Sequence, residues 1–353
     1  MELLSGRALN RATLARQLLL GRAHQTPLSV VEHLVGMQGQ DPELPYVGLW
    51  SRVAGFALGD LTTLLEERLV VRATLFRGTQ HLLAAGDYLW IRPLLQPMLE
   101  VWQRGGFGRY TAGIDPGELA EQARALLGAE TWTRPTLGRA LAQRWPEVDP
   151  QWLARSVQGL LPVLHPVPDG TWGRRGATPF VLAEHWLGQS LVKREAEQLV
   201  LRYLAAFGPS SVRDMQAWSG MTRLGEVFEP LRPRLRTFRN DSGVELFDLP
   251  DAPRPHPDVP APVRFLPTFD NVFFGYADRD RIVTAAQRPY LVADAALTVD
   301  GVVRGLWKVR GGVLEVRLFA ALSRAERTAV VDEGAALLGL WGAPQGDIAF
   351  TSV

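Results

Sequence analysis

The chain has 353 residues, 46% of them hydrophobic, enough to bury a large core and to fill two or three domains. Its formal net charge is only +1, which excludes the strongly basic signature of a small nucleic-acid-binding module. Zero cysteines exclude disulfides, thiolate chemistry, iron–sulfur clusters and cysteine-ligated zinc. Six histidines (His24, His33, His81, His165, His185 and His256) show no ligand spacing, so no metal is expected, and no cofactor. No apolar run approaches the roughly twenty residues of a membrane span, and the first residues lack a signal peptide's layout, so a cytoplasmic protein is expected, nucleoid-associated when acting. Of 38 basic residues only Lys193 and Lys308 are lysine. Guanidinium suits phosphate, but a GC-rich genome gives the same bias.

In chain order, apolar residues at helical spacing predict helices over 9–20 and 28–37, followed by a β-like stretch over 69–83 with Gly78 at its turn. Helices are predicted again over 118–127, 136–145 and 150–161, then a hairpin over 163–172 about Pro168-Asp169-Gly170. A long helix over 192–206 precedes a short helix capped by Ser211, a turn at Ser219-Gly220, a helix over 224–235 and a hairpin over 235–249 about Asn240-Asp241-Ser242-Gly243. Prolines 253, 255, 257 and 260 mark a linker over 250–262. Beyond it come strands within 291–309 and 313–318 and a closing helix over 324–340.

Helices, a turn and a hairpin recur three times. The expected class is therefore α+β, as three tandem winged-helix units with a small β-rich C-terminal cap, against the alternative of an ordinary α+β fold. The boundaries fall at 1–115, 116–189, 190–262 and 263–353.

The most telling segment is Gly36-Met37-Gln38-Gly39-Gln40-Asp41-Pro42, where a helix end delivers two glutamines one residue apart. Two neutral amides at this spacing can hold a water without titrating. Together with Phe76-Arg77-Gly78-Thr79-Gln80-His81-Leu82-Leu83, with Phe265-Leu266-Pro267-Thr268-Phe269-Asp270-Asn271 running on to Gly275-Tyr276-Ala277-Asp278-Arg279, and with Val299 to Trp307, it resembles the AlkZ/YcaQ-like winged-helix DNA glycosylases. The four stretches occur in the family's order and span nearly the whole chain.

The resemblance implies three winged-helix units around a DNA channel and the removal of alkylated purines from double-stranded DNA, bulky adducts or interstrand crosslinks included. Gln38 and Gln40 match the Gln-x-Gln signature of the AlkZ-like branch and would be the catalytic residues. Gly39 departs from it, because the family's middle residue is aliphatic.

The chemistry suits glutamines. A ring-alkylated guanine is already cationic and leaves as a neutral base, so no general acid is needed. An amide carbonyl can hold the attacking water and face the oxocarbenium-like sugar. Asp41 is the rival for this water, since a carboxylate is the usual base. The favoured reading of Asp41 is a helix N-cap followed by Pro42 at the first helical position.

Arg77 and His81 are candidate DNA contacts, with Arg174 and Arg175 after the second hairpin, Arg236 beside Arg234 and Arg239 at the third, and Arg279, Arg281, Lys308 and Arg310 in the C-terminal part. Asp270 and Asn271 either bind DNA or organise a turn. A monomer is expected, because three units in one chain supply repeated DNA contacts. A non-enzymatic winged-helix regulator is the alternative function.

Overall fold

A computed structural model of the chain describes residues 2–128 and 130–353. The first part runs β1 (Glu2–Leu4), α1 (Gly6–Arg16), α2 (Pro27–His33), β2 (Met37–Gln38), α3 (Leu44–Trp50), α4 (Leu58–Glu66), β3 (Val70–Thr74), β4 (Gln80–Ala84) and the long α5 (Ala85–Phe107). Next come α6 (Pro116–Leu127), β5 (Trp132–Thr133), α7 (Arg134–Leu141), α8 (Pro150–Leu160), β6 (Val163–Leu164), β7 (Pro179–Leu182) and α9 (Ala183–Leu187). They are followed by α10 (Ala196–Phe207), α11 (Val212–Ser219), α12 (Gly225–Leu231), β8 (Arg236–Asn240) and β9 (Glu245–Asp248). The last part is β10 (Arg264–Leu266), α13 (Asn271–Phe274), β11 (Ala295–Val299), β12 (Val302–Arg310), β13 (Val313–Leu318), α14 (Arg324–Leu340) and β14 (Ile348–Ser352).

Local chemistry sets many of these boundaries. Thr26, Asp115 and Asp149 each accept a backbone N–H at a helix start and are followed by proline at the first helical position. Ser211 with Asp214, and Ser323 with Glu326, form reciprocal capping boxes at the starts of α11 and α14. Gly220, in the left-handed region, ends α11.

One order of elements appears three times: helix, strand, two helices, then two antiparallel strands of which the second pairs with the first strand. In the first copy, α2 to β4, Gln38 lies opposite His81. In the second, α6 to β7, Trp132 lies opposite Phe180. In the third, α10 to β9, a single bridge between Ser210 and Phe247 replaces the lone strand.

Two expectations need correction. Helix α1 lies outside the first copy, since it packs against α10 and the C-terminal strands. The hairpin expected over 163–172 does not form: β6 pairs with β7, and Pro168-Asp169-Gly170 lies in the long loop between them. That turn is local, with Asp169 N–H donating to Pro166 O and Thr171 Oγ1 to Pro168 O.

The first two copies share one six-stranded sheet in the order β2-β4-β3-β6-β7-β5. The junction is the pairing of Ala73 with Leu164, extended by His165 N–H donating to Arg72 O at 2.8 Å. The C-terminal sheet, β10-β11-β12-β13-β14, is covered by α14. It shares a core with the first copy, where Phe265, Leu297, Leu314 and Leu337 pack with Val30, Tyr46, Leu61 and Leu82. A second core joins the other side of the first copy to the third through Phe76, Tyr203, Phe207 and Trp218. The glutamine segment therefore sits between two cores that hold it from both sides.

Candidate active site

Helix α2 ends in a sharp reversal. Val35 and Gly36 both have positive φ, and a Cβ on Gly36 would lie 2.6 Å from Leu83 Cδ1 and 3.1 Å from Leu82 O. Only glycine fits there without strain. The chain then enters β2, and Gly39 N–H donates to Gln80 O at 2.8 Å. Gln38 is half-buried beside a small cleft lined by Leu44, Pro267, Thr268 and Phe269, while Gln40 is exposed. A Cβ on Gly39 would make only ordinary contacts, at 3.6 Å or more, so the missing side chain is not demanded by the backbone.

Two arginines of the β3–β4 hairpin, Arg72 buried and Arg77 half-buried, hold this segment. Arg72 donates through Nε to Gly39 O at 2.7 Å and through Nη2 to Gln40 O at 3.2 Å and to the Gln80 side chain, while Nη1 pairs with Asp169. Burial lowers the Arg72 pKa and raises that of Asp169, and their mutual attraction opposes both shifts.

Arg77 has a φ of 55° and donates through Nη1 to the carbonyl of Trp218 in α11 and through Nη2 to Gln38 Oε1 at 3.4 Å. Burial, then the nearby Arg279 guanidinium, lowers its pKa to about 10, so it remains a cation at neutral pH. The Gln40 Oε1 accepts from Gln80 N–H at 3.4 Å. Arginine and backbone N–H can only donate, so both amide oxygens face the protein and both amino groups stay free among the described residues. Each oxygen keeps a second lone pair.

His81 was expected to reach DNA, but it is buried edge-on to Phe76, with Nδ1 at 3.0 Å from Thr79 O. Burial, and then Arg77, lowers its pKa to about 3. It is a neutral packing residue of β4. Asp41 is not the cap of α3, whose N-cap is Glu43; its Oδ1 accepts Glu43 N–H at 3.0 Å and its carbonyl accepts Leu44 N–H.

Asp270 caps α13 and forms a buried two-bond pair with Arg52, at 2.7 and 2.8 Å. Asn271 Nδ2 donates to Gly36 O at 3.0 Å, fastening the turn that presents the glutamines.

Arg174 and Arg175 are exposed in the β6–β7 loop and form no salt bridge among the described residues, although Arg175 is near enough to Glu43 to oppose the burial that raises that carboxyl's pKa. Arg279 lies over the Phe274 ring at 4.4 Å, near Arg77. Arg281 is instead committed to the scaffold, over Tyr276 and bonded to Thr13 and Pro209 O. Arg236 pairs with Glu2, and Lys308 with Glu315 across β12 and β13. Both pairs are at least partly exposed, a setting in which an ion pair contributes little. Arg234 and Arg310 have no acidic partner among the described residues, and Arg239 donates to Gly243 O.

Sequence reasoning missed Arg72, Asp169 and Arg52. A signal existed for Arg72, a lone cation in the otherwise uncharged strand Val70-Val71-Arg72-Ala73-Thr74. Among the described residues no cluster of His, Asp and Glu could hold a metal ion, and no helix is long and apolar enough to cross a membrane.

No curated protein matches the chain in sequence. The solved structure of Streptomyces sahachiroi DNA glycosylase AlkZ matches it with a TM-score of 0.77 at 21% identity, covering 100% of both chains, a likeness of fold. The family model described as DNA glycosylase AlkZ-like matches residues 31–340, which span the glutamine segment, both arginines of the hairpin and the Asp270 cap. On this match the chain belongs to the AlkZ-like DNA glycosylase family and is a DNA glycosylase.

Proposed function

We propose that this glycosylase hydrolyses the glycosidic bond of purines that alkylation has already made cationic, ring-nitrogen-alkylated guanine first among them, with bulky adducts and interstrand crosslinks within the same chemistry. The observation that carries this reading is a pair of neutral amides, Gln38 lining the cleft and Gln40 exposed two residues on, beside a histidine that stays neutral. Such a site has little means of protonating a leaving base, so it suits a base that brings its own positive charge.

In this reading the second lone pair of a glutamine carbonyl accepts a hydrogen bond from the attacking water. The partial negative charge of that oxygen faces the sugar as it becomes oxocarbenium-like. The free amino groups donate to a phosphate or a base edge. Arg77 and Arg279 meet the phosphates beside the lesion, and Arg174 and Arg175 meet phosphates further along the duplex.

The three recurrences of helix, strand, two helices and paired strands support three winged-helix units, within 1–115, 116–189 and 190–262, followed by a β-rich part over 263–353. A monomer fits this reading, since one chain carries all three units.

The test is single-turnover excision from duplex DNA containing N7-methylguanine, with alkali cleavage to reveal abasic sites. Gln38→Ala and Gln40→Ala should each slow excision about a hundredfold, the scale of losing one preorganised polar group, with DNA affinity little changed. Parental rates in both variants would move the water to Asp41, a transfer that Asp41→Asn would then expose by abolishing activity.

A further inference from the structure

The glutamine segment is held by its backbone as well as its side chains. Arg72 reaches the carbonyls of Gly39 and Gln40 and the side chain of Gln80, the residue whose own carbonyl receives Gly39 N–H. The fourth partner, Asp169, is different in kind. It comes from the loop between β6 and β7 in the second copy, 97 positions away in sequence, and only 13% of its side chain is exposed against 4% for Arg72.

A guanidinium is a rigid planar fork, so fixing one edge on a carboxylate fixes where the other donors point. The same loop carries the exposed Arg174 and Arg175 five and six residues beyond Asp169.

We infer that Asp169 and Arg72 form a brace that sets the position of the Gln38–Gln40 backbone and ties it to the Arg174–Arg175 loop, making both members positioning residues for excision. The inference rests on the reading of Gln38 and Gln40 as the groups that hold the water. Asp169 touches neither glutamine side chain, so its effect passes through Arg72. Without the carboxylate, Arg72 keeps three acceptors but loses the partner that orients the fork, and the carbonyls of Gly39 and Gln40 gain freedom. A misplacement of about 1 Å next to a reacting centre can cost about a hundredfold in rate.

The experiment uses the full-length protein and N7-methylguanine duplex. Arg72→Ala would strand a buried carboxylate and three further acceptors and risks misfolding, so Asp169→Ala is the variant of choice and Asp169→Asn the conservative partner. Three readouts are taken: hydrogen exchange at the Gly39 amide, the excision rate at saturating protein, and duplex Kd. In Asp169→Ala the Gly39 amide should exchange about tenfold faster and excision should slow at least tenfold, while Kd stays within about threefold. Asp169→Asn, which keeps an oxygen acceptor, should recover part of both changes.

Unchanged exchange at Gly39 would overturn the brace, and faster exchange with parental excision would overturn its positioning role. Gln38→Ala and Gln40→Ala are measured beside it. Parental rates in those two would overturn the reading of the glutamines and the positioning role with it. Slowed glutamine variants beside a parental Asp169→Ala would overturn the brace alone.

Discussion

Replacing Asp270 with alanine should be among the most damaging single changes outside the cleft. Its carboxylate makes two bonds to Arg52, at 2.7 and 2.8 Å, and the two side chains are 2% and 0% exposed. Alanine leaves the guanidinium buried with only Gly48 O, which accepts from Nη1 at 3.0 Å, while its Nε already lacks a partner among the described residues. Breaking a buried pair from one side costs about 3–5 kcal/mol. The same carboxylate accepts Val272 N–H at the start of α13, a cap worth about 1 kcal/mol. A loss of about 5 kcal/mol, set against an unfolding entropy of about 2.1 cal/mol/K per residue, lowers Tm by about 7 °C for 353 residues melting together. Asp270→Asn should lose about half as much, because its oxygen still accepts. Changing both partners, Arg52→Met with Asp270→Leu, should recover most of the stability by removing the stranded charge. Differential scanning calorimetry of the four proteins reads this directly. An Asp270→Ala protein melting within 2 °C of its parent would refute the account of the pair.

Stability should fall with acidification, because His81 and His165 are both held neutral by burial, with pKa values lowered to about 3. The unfolded chain takes up protons below about pH 6.5 that the folded chain refuses, so each histidine should cost about 2 kcal/mol by pH 5; urea midpoints at pH 7.5 and 5 check this, and His81→Asn should lessen the loss by about half. Gly39→Ala should stay within about 1 kcal/mol of the parent in urea, since its Cβ has room. Gly36→Ala should lose about 2 kcal/mol or more, from Leu83 and from a φ of 109°. Arg174→Ala with Arg175→Ala should flatten the log–log salt dependence of duplex binding by about 1.8, the value for two phosphate contacts, and equally for every sequence; an effect confined to one sequence would indicate base reading.

Where an element is specified by its own residues, the sequence announced it. The hairpin about Asn240–Gly243 is made by Asn240 Oδ1 accepting Ser242 and Val244 N–H, and α14 starts on the Ser323–Glu326 box, so local signals sufficed. The reversal that leads into Gln38 and Gln40 was legible because the apolar run of α2 stops at Gly36 just before them. Elements specified by distant partners were not. Strand β2 is two residues long and exists because β4 lies beside it. Pro168-Asp169-Gly170 carries hairpin-turn chemistry yet serves a loop, because β6 finds its partner beyond that turn. His81 looked like a DNA contact because burial in β4 is a property of the assembled sheet.

The six-stranded sheet has a consequence for how this protein fails. Its outermost strands, β2 and β5, are two residues each, too short to recruit a strand from another molecule. The long, wholly buried β3 is shielded at one edge by β4 and at the other by the slender junction at Ala73 and Leu164. Should that junction part under heat or mutation, a row of unpaired backbone N–H and C=O groups along β3 would be bared while the rest of the sheet persisted. Damaged copies would then gather through intermolecular strand pairing well before the chain had lost its secondary structure.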